Sequence, residues 1–523
     1  MINRLQIIDL VIIVSYLGAM LLVGFYFSRK NKSADQFTRA SGKIPGWAVG
    51  MSIYATFLSS NTFLGVPGKT FGANWNVFVF SLSMPLAAWV GSKYFVPFYR
   101  NSGEISAYTH FENRFGPWAR TYAVACFLLT QIARMGSIFF GIALTLQALT
   151  GFNMETIMTV TGSCIVVYTV LGGIEAVIWT EVVQAIIKTF GALLILYLIV
   201  TNMPGGVKQI IQIGNAHEKF SLGSFHPDFT QPTFWVVLFY GFFINLNNFG
   251  VDQNYVQRYH TATSSSQAKK SIWICVAMYL PASLIFCIIG SSLFAYYEAH
   301  PALIEIVKHQ VAVERAGTGA STGTIAQMAS TLKPGDYGDK VMPYFMVTKI
   351  PAGLIGLIIS AILSAAMSTI SSGMNASATV FSIDIYKRYF KPSINGKQML
   401  RLLHIATVIF GLGGMAAGVA MIGIKSVLDV WWMLSGIFAS GMLGLFLLGI
   451  ISRQTHNAAA IAATFIGVAV VLWMTFPSLI PEQYQFFRSN LNVNMTIVVG
   501  TLSIFLIGIL LTRLKALRNY TAI

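Results

Sequence analysis

The chain has 523 residues, of which 55% are hydrophobic and 10% are charged, and its mean hydropathy is +0.67. This apolar share is too large for a soluble protein of this length and indicates an integral membrane protein. The formal net charge is +16, but the basic residues are spread over many short loops, which argues against a nucleic-acid-binding protein.

Apolar runs of roughly 20 residues predict an all-α membrane protein with about thirteen transmembrane helices. In chain order the predicted spans are 7–27, 46–66, 77–98, 122–149, 156–171, 182–201, 234–255, 272–296, 345–381, 402–422, 427–451, 458–476 and 496–512. The positive-inside rule then predicts an outside N-terminus and a cytoplasmic C-terminus. We expect a multi-pass protein of the plasma membrane, the inner membrane in a bacterium, that functions as a monomer.

The second span contains an unusual polar stretch, MSIYATFLSSNTFLGVPGK, at 51–69. Four polar residues at 59–62 precede Gly65, Pro67 and Gly68, which predict a helix break at 65–68. Unwound backbone at membrane depth is tolerated where protein, water or a ligand satisfies it, so this run is expected to line a cavity. The alternative is close helix packing through small residues.

Arg134 lies about twelve residues into the fourth span. An arginine at this depth usually faces a cavity or a partner, and a substrate carboxylate is one natural counter-ion. An internal ion pair is the alternative, although no acidic residue is obviously its partner. The sequence leaves these two interpretations equally open.

Glu181 lies in GGIEAVIWTEVVQ, at 172–184, between the fifth and sixth spans. Thr180 could cap the following helix, with Glu181 complementing the helix dipole. Glu181 could equally be a carboxylate near a cation path, and both interpretations remain open.

The seventh span is also interrupted, because Asn245, Asn247 and Asn248 precede Gly250. Asp252 and Gln253 follow, where they could bind a substrate, gate its path or cap the next helix. Two interrupted helices, five spans apart, are typical of a transporter binding site.

The ninth span is rich in hydroxyl groups, and Ser368, Ser371 and Ser372 share one helix face. Hydroxyls and free carbonyls are neutral oxygen ligands that suit a small hard monovalent cation. Carbonyls of the second span could complete such a site, from Ala55 and Leu58. A serine packing seam is the alternative.

Four motifs together resemble the sodium:solute symporter family, with the bacterial sodium-coupled sialic acid transporters as the nearest likeness. They are IPGWAVGMSIYATFLSS, GGIEAVIWTEVVQ, DQNYVQRY and SAAMSTISSGMNASA. The resemblance implies a leucine-transporter-type fold built from two inverted five-helix repeats. The implied segments are an extra helix and cytoplasmic loop at 1–45, repeats at 46–203 and 234–452, extracellular loops at 204–233 and 297–340, and two C-terminal helices with a tail at 453–523.

The resemblance also implies site residues. The main sodium site would use Ala55, Leu58, Ala365, Ser368 and Thr369. A second sodium site would use Ser368, Ser371, Ser372 and Glu181, with Glu181 standing where those transporters have an aspartate. Substrate contacts would come from Ser59, Asn61, Thr62 and Arg134, and from Ser81, where those transporters have a glutamine. Beside the seventh-span break, we add Asn247 and Gln253 as substrate-binding candidates.

These features predict a secondary transporter that imports a sugar or sugar acid with Na⁺ by alternating access, with sialic acid as the best guess. The alternatives are a neutral hexose or inositol, or a small monocarboxylate, as the cargo. An ion channel is the rival of another class, but it needs a continuous polar pore. We expect no enzymatic activity, no organic cofactor and no nucleic-acid partner, because no nucleophile–base pair or metal triad is found.

Overall fold

The computed structural model describes residues 5–29, 33–317, 320–424, 426–452, 454–477 and 480–520. Small parts of four predicted segments, namely 1–45, the repeat 234–452, its loop 297–340 and 453–523, lie outside these ranges. Within the described ranges every regular element is helical, apart from one isolated bridge between Ile44 and Ala262. The prediction of an all-α protein is therefore confirmed.

The first half of the chain forms eleven α-helices. They are α1 (Ile7–Ser28), α2 (Ala34–Arg39), α3 (Gly46–Phe57), α4 (Ser60–Gly72), α5 (Phe78–Leu82), α6 (Met84–Val90), α7 (Val96–Ser102), α8 (Thr109–Phe115), α9 (Pro117–Thr150), α10 (Met154–Thr201) and α11 (Gly206–Ala216).

The second half forms eleven more. They are α12 (Phe234–Gly250), α13 (Gln253–Thr261), α14 (Ser265–Glu298), α15 (Pro301–Ala316), α16 (Thr322–Thr331), α17 (Pro334–Lys349), α18 (Leu354–Val380), α19 (Gly396–Ala420), α20 (Val427–Ile451), α21 (Asn457–Thr475) and α22 (Met495–Tyr520).

Among the described residues, ten helices are long and apolar enough to cross a membrane, or eleven if the bent pair α12–α13 is one span. The prediction of thirteen spans also counts the broken pair α3–α4 and divides the 48-residue helix α10 in two. Gly173 lies inside α10 with φ 60° and ψ −164°, a conformation open to glycine, and it kinks the helix there.

The break in the second predicted span lies earlier than predicted. Helix α3 ends at Phe57, Leu58 and Ser59 have non-helical backbone, and α4 continues without a break through Pro67. The prediction of a break at 65–68 was therefore wrong. Gly65 instead lets α4 approach α20, since a Cβ atom there would lie 2.8 Å from a side chain of that helix.

The break in the seventh predicted span is where the sequence places it. Helix α12 ends at Gly250, and α13 leaves at an angle of 45°. Asp252 caps α13, because its carboxylate accepts hydrogen bonds from the backbone and side-chain nitrogens of Asn254, at 2.8 and 2.7 Å.

Helices α10 and α18 form the centre of the structure. The serine-rich helix α18 is buried along almost its whole length and packs against α10, α9, α1 and α3. Because the α3–α4 break faces the middle of α18, free backbone carbonyls and serine hydroxyls meet between the helices.

Candidate substrate and cation sites

A pocket with about 70 Å³ of interior space lies beside both helix breaks. Typical small-molecule sites have roughly 300–1,000 Å³, so a sugar-sized cargo requires this pocket to widen. Six of the seven residues predicted to bind substrate line it: Ser59, Asn61, Thr62, Ser81, Arg134 and Asn247. The two helix breaks therefore face one shared pocket.

Two asparagines offer free oxygen atoms at this pocket. Asn61 donates from Nδ2 to the hydroxyl of Ser137 at 2.9 Å, but its Oδ1 has no hydrogen-bond partner. The Oδ1 atom of Asn247 is also buried without a partner. A buried unsatisfied acceptor is costly, so both atoms suit a ligand that donates hydrogen bonds, such as one with several hydroxyl groups.

Arg134 faces the pocket and has an acidic neighbour. Its Nη1 atom lies 3.6 Å from Oδ2 of Asp252, and its Nη2 atom donates to the hydroxyl of Tyr255 at 3.2 Å. The guanidinium also lies 5.4 Å from the ring of Trp431. The sequence showed no obvious partner for Arg134, and the bend after α12 supplies one by bringing Asp252 close. This N–O distance of 3.6 Å is long for a charge-assisted hydrogen bond, so N–H donors of Arg134 remain available for a cargo.

Two of the predicted substrate residues are engaged by protein groups. Gln253 does not line the pocket, because its side chain accepts from the backbone of Ala107 at 2.8 Å and donates to that of Ile105 at 2.9 Å. Ser81 does line it, and its hydroxyl hydrogen-bonds to that of Ser283 at 2.7 Å. Gln253 thus holds α13 to the loop before α8.

The predicted ligands of the main sodium site converge on a lysine. The ammonium of Lys188, on α10, donates to the carbonyls of Ala55 at 2.6 Å and Leu58 at 2.9 Å, and to the hydroxyl of Ser368 at 3.0 Å. Lys188 is fully buried. The structure therefore brings three of the five predicted ligands together, around a cation of the protein itself.

The other two predicted ligands of the main sodium site, Ala365 and Thr369, are hydrogen-bonded to neighbouring groups beside Lys188. The hydroxyl of Thr369 donates to the carbonyl of Thr56 at 3.2 Å and to that of Ala365 at 3.3 Å. The Ala365 carbonyl also accepts from Ser368 at 3.1 Å. These contacts tie the middle of α18 to the end of α3, directly beside Lys188.

The predicted second sodium site contains an arginine. The Nη2 atom of Arg258 lies 2.9 Å from both carboxylate oxygens of Glu181 and donates to the hydroxyl of Ser372 at 2.6 Å. Ser52 and Ser372 also hydrogen-bond to Glu181. Ser371 is turned away from this cluster, since its hydroxyl donates to the carbonyl of Ser368. Glu181 is thus the counter-ion of a buried arginine.

Lys188 and Arg258 were missed by the sequence reasoning. Arg258 lies just beyond the predicted seventh span, 234–255, yet its side chain is only 1% exposed because the bend after α12 carries α13 back into the protein. Lys188 follows Glu181 by seven residues, two helical turns, which places both on one helix face if the predicted span 182–201 begins one residue earlier. A lysine without an acidic partner, two helical turns after a carboxylate in a membrane helix, was the signal from which Lys188 could have been found.

Comparisons with known proteins agree with this geometry. The family model described as the sodium:solute symporter family matches residues 37–467. The sodium/sialic acid symporter NanT of Aliivibrio fischeri is 32% identical over 95% of this chain and 91% of its own, and SiaT of Proteus mirabilis is 30% identical over 96% and 94%. A solved substrate-bound, outward-open Na⁺-coupled sialic acid symporter is similar with a TM-score of 0.83 and 30% identity, over 97% of this chain and 98% of its own.

These matches cover nearly the whole chain and confirm three predictions. The fold is that of a leucine-transporter-type membrane protein, the protein is a transporter and not an enzyme, and sodium symport is the activity of its family. The chain belongs to the sodium:solute symporter family.

Proposed function

We propose that this protein carries a sugar acid into the cell by alternating access, with sialic acid as the best candidate. The cargo would bind in the pocket between the two helix breaks. The observation that carries the proposal is the buried guanidinium of Arg134 at this pocket, with donors to spare for a carboxylate.

The remaining pocket groups support a polyhydroxylated cargo. Asn61 and Asn247 each present a free carbonyl oxygen, and Ser59 and Thr62 add hydroxyl groups from the start of α4. A sugar acid offers hydroxyl donors to the first pair and a carboxylate to Arg134. The names of the two relatives described above, sodium/sialic acid symporters, favour the same cargo.

We also propose a membrane location and an oligomeric state for the protein. The protein would lie in the plasma membrane, the inner membrane of a bacterium, with its N-terminus outside and its C-terminus in the cytoplasm. It would work as a monomer, with inverted repeats at 46–203 and 234–452. Na⁺ is the coupled ion in the relatives' names, so sodium is a variable in the assay below.

One observation favours a neutral cargo instead, a hexose or inositol. Arg134 already has the carboxylate of Asp252 at 3.6 Å, so the pocket is close to electroneutral before any cargo binds. A neutral sugar would leave this pair intact, whereas a sugar acid or a small monocarboxylate would share Arg134 with Asp252. The charge of the pocket therefore distinguishes a neutral cargo from an acidic one.

The test is uptake into liposomes that contain the purified protein. Labelled sialic acid, glucose, inositol and lactate are compared, each with and without an inward sodium gradient. We expect saturable uptake of sialic acid, and Arg134→Ala should raise its KM by roughly 10- to 100-fold, as for the loss of a charge-assisted hydrogen bond. Accumulation of a neutral sugar without sialic acid would overturn the proposal.

Arg315→Ala is the matched control. Arg315 is a partly exposed arginine that pairs with Asp336 at 3.1 Å, away from the pocket residues. Its loss should leave the KM for every cargo unchanged. A similar KM increase in both variants would mean that the change reports general damage rather than cargo binding.

A further inference from the structure

The strongest unexplained feature is the ammonium of Lys188 at the place predicted for the main sodium ion. The three contacts are with the carbonyls of Ala55 and Leu58 and with the hydroxyl of Ser368. Two of these oxygens belong to the end of α3, where the helix has lost its regular hydrogen bonds, and the third belongs to α18. The ammonium therefore joins the same two elements that a sodium ion would join.

Lys188 is satisfied in this position. An ammonium has three N–H donors, and all three find an oxygen within 3.0 Å. The side chain is 0% exposed, so water does not compensate for its burial. Burying a charge is costly, and these three neutral oxygens offset part of that cost by satisfying every N–H donor.

We propose that the ammonium of Lys188 takes the place of Na⁺ at the main cation site, so that this protein needs no sodium ion there. The inference rests on the proposed transport function, because it concerns the cation that holds the α3–α4 break to α18. A sodium ion on the same oxygens would lie within about 4 Å of the ammonium. At that distance two unit charges repel strongly enough to weaken binding roughly a thousandfold.

The predicted second sodium site also contains a cation that belongs to the protein itself. Arg258 binds both oxygens of Glu181 and the hydroxyl of Ser372, which are the groups expected to hold the second sodium ion. The carboxylate of Glu181 is thereby used for Arg258. A protein cation therefore occupies each of the two predicted sodium positions.

The first experiment measures sodium binding without any cargo. The midpoint of thermal unfolding of the purified protein is recorded in NaCl and in choline chloride at equal ionic strength. The wild type should show no difference. Lys188→Ala removes the ammonium but leaves the oxygen ligands, and should gain a sodium-specific increase of about 1–3 °C when sodium exceeds its Kd by tenfold to a hundredfold.

Lys93→Ala is the matched control. Lys93 also lies in a membrane helix, but its ammonium is exposed and lies 4.9 Å from the ring of Trp89. Its removal vacates no set of oxygen ligands, so this variant should show no sodium-specific stabilisation. Lys188→Met, which is close in length to lysine and uncharged, is the second variant if Lys188→Ala does not fold.

The second experiment measures transport. Uptake by the wild type should change less than twofold when choline replaces sodium, whereas Lys188→Ala should be stimulated at least tenfold by sodium. If no tested cargo enters under any condition, the proposed cargo is wrong while the unfolding experiment still decides the role of Lys188. Sodium-specific stabilisation of the wild type would overturn the inference, and so would an absence of sodium response in both Lys188 variants.

Discussion

The pair formed by Arg258 and Glu181 is the most deeply buried ion pair of the described residues, and we predict that it behaves as a unit. Their side chains are 1% and 0% exposed, and two N–O distances are 2.9 Å. Glu181→Gln would leave the guanidinium buried without its counter-ion. Breaking such a pair from one side costs about 3–5 kcal/mol, and attraction at about 4 Å with an effective dielectric of 20 gives a similar value, about 4 kcal/mol.

The assay is thermal unfolding in detergent, arranged as a double-mutant cycle. Glu181→Gln and Arg258→Met should each lower the unfolding temperature by about 3–5 °C, from an unfolding entropy of about 2.1 cal/mol/K per residue. The double variant should recover much of this loss, because it leaves no unpaired charge. A double variant as unstable as the sum of the two single variants would refute the reasoning.

The pair Arg315–Asp336 provides the matched control cycle. Its N–O distance is 3.1 Å, but its side chains are 27% and 26% exposed. Water and salt screen such a pair, whose contribution is about 0–1 kcal/mol. The same substitutions there should shift the unfolding temperature by about 1 °C or less, and equal shifts in both cycles would mean that burial is not the cause.

Three further predictions follow from other contacts. Asp252→Asn keeps an oxygen to cap α13 but removes the charge that competes for Arg134, so the KM for an acidic cargo should fall in the uptake assay. Burial raises the pKa of Asp339, outside the predicted spans, to about 6, so its ionisation opposes folding as pH rises from about 4 to 6. Asp339→Asn should therefore raise the unfolding temperature at pH 7 and leave it unchanged near pH 4. Gly65→Ala should cost about 1–3 kcal/mol through its clash with α20, whereas Gly413→Ala, with no atom within 4 Å, should cost nothing.

The sequence identifies the interrupted helices better than it places their breaks. Gly250 and Asp252 mark the end of one helix and the cap of the next, so the break after α12 is readable from local chemistry. The break at Leu58 has no such marker. It is stabilised by a distant residue, since the Leu58 carbonyl accepts from Lys188, 130 positions along the chain. Pro67 misled the prediction because a single proline removes only one hydrogen bond of α4.

The cation sites show the same limit of prediction from the sequence. The ligand oxygens of Ala55, Leu58 and Ser368 are recognisable by their resemblance to a family, and the structure does bring them together. What the sequence could not give is the direction of the Lys188 side chain and the depth of Arg258. Lys188 lies inside the predicted span 182–201 but could face lipid or protein, and Arg258 differs from a loop residue only through the bend that carries α13 into the protein.

The role of Lys188 makes a prediction about membrane voltage. A sodium ion that accompanies a monoanion cancels its charge, so such transport is electroneutral. If the ammonium of Lys188 takes the place of Na⁺ as proposed, it returns with the carrier in every cycle and cancels nothing, so wild-type import of a sugar acid would move one negative charge inward. At 100 mV, inside negative, this costs about 2.3 kcal/mol, or roughly a fortyfold lower accumulation.

This dependence can be measured with a potassium gradient and valinomycin in the liposomes. An inside-negative potential should reduce sialic acid accumulation by the wild type but leave the sodium-driven uptake of Lys188→Ala unchanged, because that variant would carry one sodium ion with each anion. Uptake of a neutral sugar should be insensitive to voltage in the wild type, since no net charge would move. Wild-type accumulation of sialic acid that rises with inside-negative potential only when sodium is present would require a co-transported sodium ion, and would contradict the assignment of that place to Lys188.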